Sequence, residues 1–208
     1  VEKEIKAGNK KSVIEKAALE KIKVDLEKEM LANETDLTEE EKEVMKGLAL
    51  LTLKPIMYVL NKKSGGTNLD ELKDDRWQKL LDFFASKKST YTIVDAGVES
   101  DLKDMEGEEK KMFKEELGAK DGGIDELIKR AYDLLGLETY FTTGEVETRA
   151  WTILKNSTAP VAGQAIHNDF KDKFIRAEVI EWNKLLESGS FAGSKEKGWM
   201  RTEGKEYI

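Results

Sequence analysis

Apolar side chains recur at every fourth position near the start of the chain. Ile14, Ala18, Ile22, Leu26 and Met30 form one stripe, with Lys16, Glu20, Lys23 and Glu27 off it. This spacing predicts a long helix from Asn9 or Ser12 to Ala32. Val1 and Ile5 are four apart as well, and Gly8-Asn9 reads as a helix end followed by a tight turn. The pattern predicts a helical hairpin of which only the end of the first helix is present, so that the chain begins in mid-element. Thr38-Glu39-Glu40-Glu41 announces the next helix as a capping box, with Thr38 as N-cap and Glu41 reaching back. Val44, Leu48 and Leu51 carry it to about residue 51.

The period then changes. Pro55-Ile56-Met57-Tyr58-Val59-Leu60 is a short apolar run closed by Asn61-Lys62-Lys63-Ser64-Gly65-Gly66, which predicts a buried strand. Leu69, Leu72, Trp77, Leu80, Leu81 and Phe84 give a helical face over 69–86, and Tyr91-Thr92-Ile93-Val94 is a second buried strand. Strand, helix, strand predicts a parallel pair with a crossover. Helices are expected at 107–117 and 123–135. From Leu137 the grammar is that of strands. Thr139–Thr142 and Glu147–Ile153 flank Thr143-Gly144 as a hairpin, Ala159-Pro160 opens a short helix, 174–180 is a strand and 206–208 starts another. Hairpin, helix, strand and strand is the order of a β-grasp domain whose end lies inside an element. Period 2 assigns Phe141 and Trp151 to its core, with Trp182 beside them.

Composition narrows the chemistry. The 208 residues contain no cysteine and one histidine, His167, which excludes disulfides, thiolate metal sites, cysteine nucleophiles and any two-histidine centre. A lone histidine without a nucleophile beside it predicts a structural or partner-contacting role. There is no apolar run of the ~20 residues a membrane span requires and no signal-peptide pattern, so a cytoplasmic protein without a membrane partner is expected. The net charge of −7 is uneven: residues 68–136 carry −6, while 1–31 carry +1, and 32–67 and 137–208 carry −1 each. Phosphate contact is least opposed at the two ends. Lys10, Lys11 and Lys16, by the Gly8-Asn9 turn, are the candidates for it.

The run Leu134-Leu135-Gly136-Leu137-Glu138-Thr139-Tyr140-Phe141-Thr142-Thr143-Gly144, then Arg149-Ala150-Trp151-Thr152-Ile153, resembles the opening of the C-terminal TGS domain of the YchF/Obg-like ATPases. Thr158-Ala159-Pro160, Ile166–Phe170, Phe174–Val179 and Glu203–Ile208 fit the same pattern, and Leu50–Pro55 leading into Tyr58–Asn61 is similar to the family's base-recognition strand. The resemblance implies an α/β plus α+β fold in three parts. Residues 1–36 would be a helical hairpin arm, 37–136 the C-terminal part of a P-loop G domain with its parallel sheet, and 137–208 a β-grasp TGS domain lacking its last strand. It implies a cytosolic protein of the translation-factor class that binds and hydrolyses ATP (GTP being the alternative nucleotide) with Mg²⁺, and that associates with ribosomes or RNA in translation or stress regulation. No G-x-x-x-x-G-K-[ST] string occurs in this sequence, so no nucleotide hydrolysis is expected of the chain by itself. A second reading is a non-enzymatic TGS-and-arm binding module.

The resemblance assigns base contacts to Asn61 and Lys62 and to the loop Asp95, Ala96, Gly97 and Val98. A carboxamide at the end of a strand donates to a purine N7 and accepts from an exocyclic amine, a pairing suited to adenine. The family's motif there is Asn-x-x-Glu; the guanine-selecting version is Asn-Lys-x-Asp. Here Ser64 stands at the Glu position and Lys62 at the Lys position. Asp95 and Gly97 depart from the Ser-Ala-Lys usual in the second loop. Without the resemblance, Asn61 reads first as a turn residue that ends a strand.

Overall fold

A computed structural model describes residues 2–3, 8–63, 65–116 and 123–208. The predicted helix end before Gly8 and the residue Ser64 lie largely or wholly outside them. The chain divides into two compact units, residues 1–130 and 131–208.

In the first unit, α1 (Lys10–Leu26) starts where Asn9 accepts a hydrogen bond from the Lys11 amide. It stops earlier than its apolar stripe predicts. Glu29 takes φ 62 and the Met30 amide turns back to the Asp25 carbonyl, so Met30 leaves the helix. A 3-10 turn, Ala32–Glu34, follows. Then α2 (Glu39–Met45) begins with the predicted capping box: Thr38 Oγ1 accepts from the Glu41 amide and Glu41 Oε2 accepts from the Thr38 amide at 2.9 Å. A cap of this kind contributes about 1 kcal/mol. The helix ends at Met45, short of 51, because Ala49 adopts a left-handed conformation after a single 3-10 turn. Ala18 and Ile22 of α1 pack with Ala32, Leu37 and Met45 in one buried cluster. Glu41 ties the same elements by charge, its Oε2 lying 2.8 Å from Lys21 Nζ. Lys21 first, and the Thr38 amide second, hold the Glu41 carboxyl below its ordinary range.

Strands β1 (Met57–Asn61) and β2 (Thr90–Val94) pair in parallel, from Met57 opposite Thr90 to Asn61 opposite Val94. The single helix expected over 69–86 is two, α3 (Leu69–Leu72) and α4 (Asp75–Ser86). Lys73 is left-handed and Asp74 caps the second helix by accepting from the Arg76 amide. An aspartate offered to free amides starts a helix more readily than it continues one. Phe84 of α4 is 3% exposed and stacks on Tyr91 of β2, with centroids 4.8 Å apart. Tyr58 of β1 closes the cluster at 5.1 Å. After β2 come α5 (Ala96–Asp101), α6 (Gly107–Glu116) and α7 (Gly123–Leu134). Glu99 of α5 accepts from the Ile124 amide. A Cβ on Gly123 would lie 1.6 Å from that carboxylate, so the cap and a side chain at 123 exclude one another.

In the second unit, β3 (Leu137–Thr143) and β4 (Thr148–Leu154) form the predicted antiparallel hairpin. Helices α8 (Ala159–Gln164) and α9 (Asn168–Asp172) follow, then β5 (Ala177–Val179), α10 (Trp182–Ser188), α11 (Phe191–Glu196) and β6 (Arg201–Glu203). The last strand therefore lies at 201–203 and not at 206–208. It pairs antiparallel with a β5 shorter than 174–180. Residues 206–208 instead hold the start of α8, through the Tyr207 carbonyl and the Ala159 amide at 2.8 Å. Phe141 and Trp182, expected in the core, are 55% and 64% exposed. The described strands of this unit pair only two by two, and Phe141 on β3 stays more than half exposed. Trp182 sits in the first turn of α10 and not on a strand. No helix among the described residues is long and apolar enough to cross a membrane.

Candidate functional site

The carboxyl ends of β1 and β2 bring Asn61 beside the loop Asp95–Val98. In a parallel pair, this end is where the chain leaves the ladder and exposes backbone and side-chain polar groups to a ligand. Asn61 Oδ1 accepts from the Ala96 amide at 3.0 Å. Since that amide can only donate, the bond fixes which carboxamide atom is oxygen. The ladder runs one residue further, with the Lys62 amide 2.7 Å from the Val94 carbonyl.

Asp95 is the N-cap of α5. Its Oδ1 accepts from the Gly97 and Val98 amides, both at 3.1 Å. A serine does the same work at an N-cap, which accounts for Asp95 at that position. The amides of Ala96, Gly97 and Val98 are thus all taken up by side chains. The resemblance has this loop meeting a purine; beside it, Asn61 Nδ2 carries two hydrogens that take no part in the bond to Ala96. With one lone pair left on Oδ1, the carboxamide presents a donor and an acceptor side by side. That pair matches the N7 and N6 edge of adenine.

Lys62 does not point its charge into open space. Its ammonium lies 3.2 Å from Asp70 Oδ2 and 2.5 Å from Glu71 Oε1, both on α3. Glu71 foremost, with Asp70, pushes the Lys62 pKa up against the opposing effect of burial. Lys62 in turn draws the Glu71 carboxyl down, helped by the Asn68 amide. Asn68 closes the loop between: its Oδ1 accepts from the Lys63 amide at 2.9 Å and its Nδ2 donates to the carbonyls of Lys63 and Gly66. Asn68, Asp70 and Glu71 were not singled out from the sequence. Asn-x-x-Glu at 68–71, a helix-start pattern, was the signal that could have found them.

The remaining candidates lie elsewhere. Lys10 and Lys11 are exposed in the first turn of α1, and Lys16 is loosely paired with Glu2 and Glu20 at 3.9 and 3.8 Å. His167 caps α9, its Nδ1 accepting from the Asp169 amide at 3.2 Å, which gives that nitrogen a structural task. Among the described residues no group of three or more His, Cys, Asp or Glu is assembled that could hold a metal ion.

Comparison with known proteins bears on the whole length. Residues 137–208, beginning where β3 begins, match the YchF GTPase C-terminal family, described as "Protein of unknown function (DUF933)". The chain is 44% identical over its full length to the Ribosome-binding ATPase YchF of Bacillus subtilis (strain 168), and 39% identical to that of Escherichia coli O157:H7. Along its whole length the chain is similar to YchF proteins. It spans 57% and 56% of those two YchF relatives, so just over half the length of each. A solved structure, that of the Schizosaccharomyces pombe YchF GTPase, superimposes with a TM-score of 0.74 at 29% identity. The match covers 92% of this chain and 51% of the yeast YchF.

Proposed function

We propose that this chain carries the arm, the base-recognising edge and the C-terminal domain of a YchF-type ATPase that associates with the ribosome. Residues 1–36 are the helical arm, 37–136 the later part of a P-loop G domain, and 137–208 a β-grasp TGS domain. The observation that carries the nucleotide half is the Asn61 carboxamide, pinned by the Ala96 amide at 3.0 Å with its amide hydrogens free of that bond. ATP is favoured over GTP because a donor beside an acceptor complements N7 and the 6-amino group of adenine, whereas guanine offers two acceptors there. Phosphate and Mg²⁺ have no holder in this sequence, which contains no P-loop string; its residues contribute the base end of the site alone. The ribosome half is supported by the relatives, which are ribosome-binding ATPases by name, and a ribosome partner goes with a cytoplasmic protein.

Lys10 and Lys11, exposed in the first turn of α1, and the half-buried Lys16 supply the phosphate contacts. Each phosphate neutralised by a lysine releases counterions, so ribosome affinity falls with log salt at a slope of about −0.7 to −0.9 per contact. Lys10, Lys11 and Lys16 replaced together by Glu lower that affinity and flatten the slope, at a cost in stability under about 0.5 kcal/mol per exposed site. Co-sedimentation of the full-length protein with ribosomes, with and without ATP and at several salt concentrations, checks both halves. Equal sedimentation of wild type and triple variant at every salt removes the arm from the interface. Equal sedimentation with and without ATP removes the nucleotide dependence.

A further inference from the structure

The turn Ala32–Glu34 reaches three separate parts of the first unit. Ala32 is fully buried in the cluster with Ala18 and Ile22 of α1. Asn33 Nδ2 donates to the Lys54 carbonyl at 3.3 Å. Glu34 receives the Lys87 ammonium on both carboxylate oxygens, at 2.9 and 3.1 Å, and also accepts from the Leu31 amide at 2.8 Å. The Glu34 and Lys87 side chains are 17% and 31% exposed, which shields the pair from full solvent screening. The Leu31 amide first, and Lys87 next, hold the Glu34 carboxyl below its ordinary range, so it is charged at neutral pH.

Lys54 and Lys87 have equivalent places. Each lies three residues before a strand of the parallel pair, Met57 opening β1 and Thr90 opening β2. One turn at the foot of α1 therefore holds the starting ends of both strands, and Asn61 and Asp95 stand at their finishing ends. Five paired residues span about 17 Å of extended, hydrogen-bonded backbone. Such a ladder shifts as a unit, because sliding one strand alone breaks the register from Met57–Thr90 to Asn61–Val94.

We infer that the Ala32–Glu34 turn, clamped to Lys87 and Lys54, couples the seating of the arm helix to occupancy of the base-binding edge. The inference rests on the nucleotide reading above and adds a regulation to it. A nucleotide that draws Asn61 and the Asp95 loop together tightens the strand pair, and the clamp carries this to Ala32 and so to α1. Coupling of this kind is reciprocal: whatever holds the arm in place raises nucleotide affinity by the same factor.

The test is hydrogen exchange of the segment 27–36 in the full-length protein, with and without saturating adenylyl imidodiphosphate and Mg²⁺. In the wild type the analogue slows exchange there by roughly 5-fold or more, the low end of ordinary couplings. Lys87→Met abolishes that difference while still binding the analogue, and Lys87→Arg, which keeps the charge, retains it. Lys42→Met, which breaks an exposed pair with Glu39 on α2, leaves it unchanged. A tie that merely stabilised the fold would speed exchange equally with and without nucleotide in Lys87→Met, and that result overturns the inference, as does a wild type that binds the analogue with no change at 27–36. A wild type that fails to bind the analogue overturns the nucleotide reading itself, a distinct outcome read by titration before any exchange is measured.

Discussion

Asn61→Ala lowers the affinity of the full-length protein for ATP by about 1–3 kcal/mol, or roughly 5- to 150-fold. Two losses combine. The base edge forfeits a donor and an acceptor, and the Ala96 amide forfeits the oxygen that orients the second loop. Asn61→Asp separates them. The aspartate keeps an oxygen for the Ala96 amide but replaces the Nδ2 donor with a second acceptor, which faces the lone pair of a purine N7. It therefore binds ATP as poorly as the alanine variant or worse, with the loop still in place. Isothermal titration of both variants, with thermal melts as the control on folding, checks this. Wild-type affinity in Asn61→Asp removes the carboxamide from base recognition and leaves it the task of ending a strand.

The second expected result concerns stability. Phe84→Ala destabilises the first unit by about 3–5 kcal/mol, the range for emptying a buried phenylalanine site. The ring is 3% exposed and held between Tyr91 at 4.8 Å, Tyr58 at 5.1 Å and Phe83 at 5.8 Å. Those tyrosines belong to β2 and β1, so the cavity opens directly under the strand pair that positions Asn61. Phe83, its neighbour on α4, is 41% exposed, and Phe83→Ala serves as the comparison. It removes an aromatic edge contact while leaving no closed cavity, and costs under about 1.5 kcal/mol. Urea titration followed by tyrosine and tryptophan fluorescence gives both values. A Phe84→Ala loss no larger than that of Phe83→Ala contradicts the packing described.

The parts of this fold that were legible in the sequence are those a local rule decides. Thr38 and Glu41 are three residues apart and satisfy one another's backbone amides, so the start of α2 needed no tertiary information. The β3–β4 hairpin is set by alternation and a glycine turn. The strands β1 and β2 are short apolar runs between turn residues, and the helices between them leave parallel pairing as the natural arrangement. The misreadings arise where two local rules compete or where pairing is remote. Met30 continues the stripe of α1, yet the left-handed Glu29 ends the helix before it. Asp74 could extend a helix or cap one, and it caps. The partner of β5 is Arg201–Glu203 because its register with 177–179 is settled across more than twenty residues, beyond the reach of any short pattern.

The candidate site divides in the same way. That Asn61 ends β1 beside the second loop was legible from strand chemistry and from resemblance. That Asp95 spends its carboxylate on Gly97 and Val98, and that Lys62 is bound by Asp70 and Glu71, depends on side-chain directions that spacing does not carry. Phe141 and Trp182 show the limit most plainly. Alternation tells which residues share a face of β3, but not whether anything lies over that face.

Glu41 and Glu34, which tie α1 and the turn after it to the rest of the first unit, close loops of very different size. Glu41 reaches Lys21 across 20 positions, and Glu34 reaches Lys87 across 53. Chain-closure entropy grows as three-halves RT times the logarithm of loop length, so the longer tie costs about 0.9 kcal/mol more to form from the unfolded chain. The shorter one also arrives with the capping box already made on the same oxygen. The separations therefore favour an order of assembly, in which α1, the Ala32–Glu34 turn and α2 come together before the link to the strands closes.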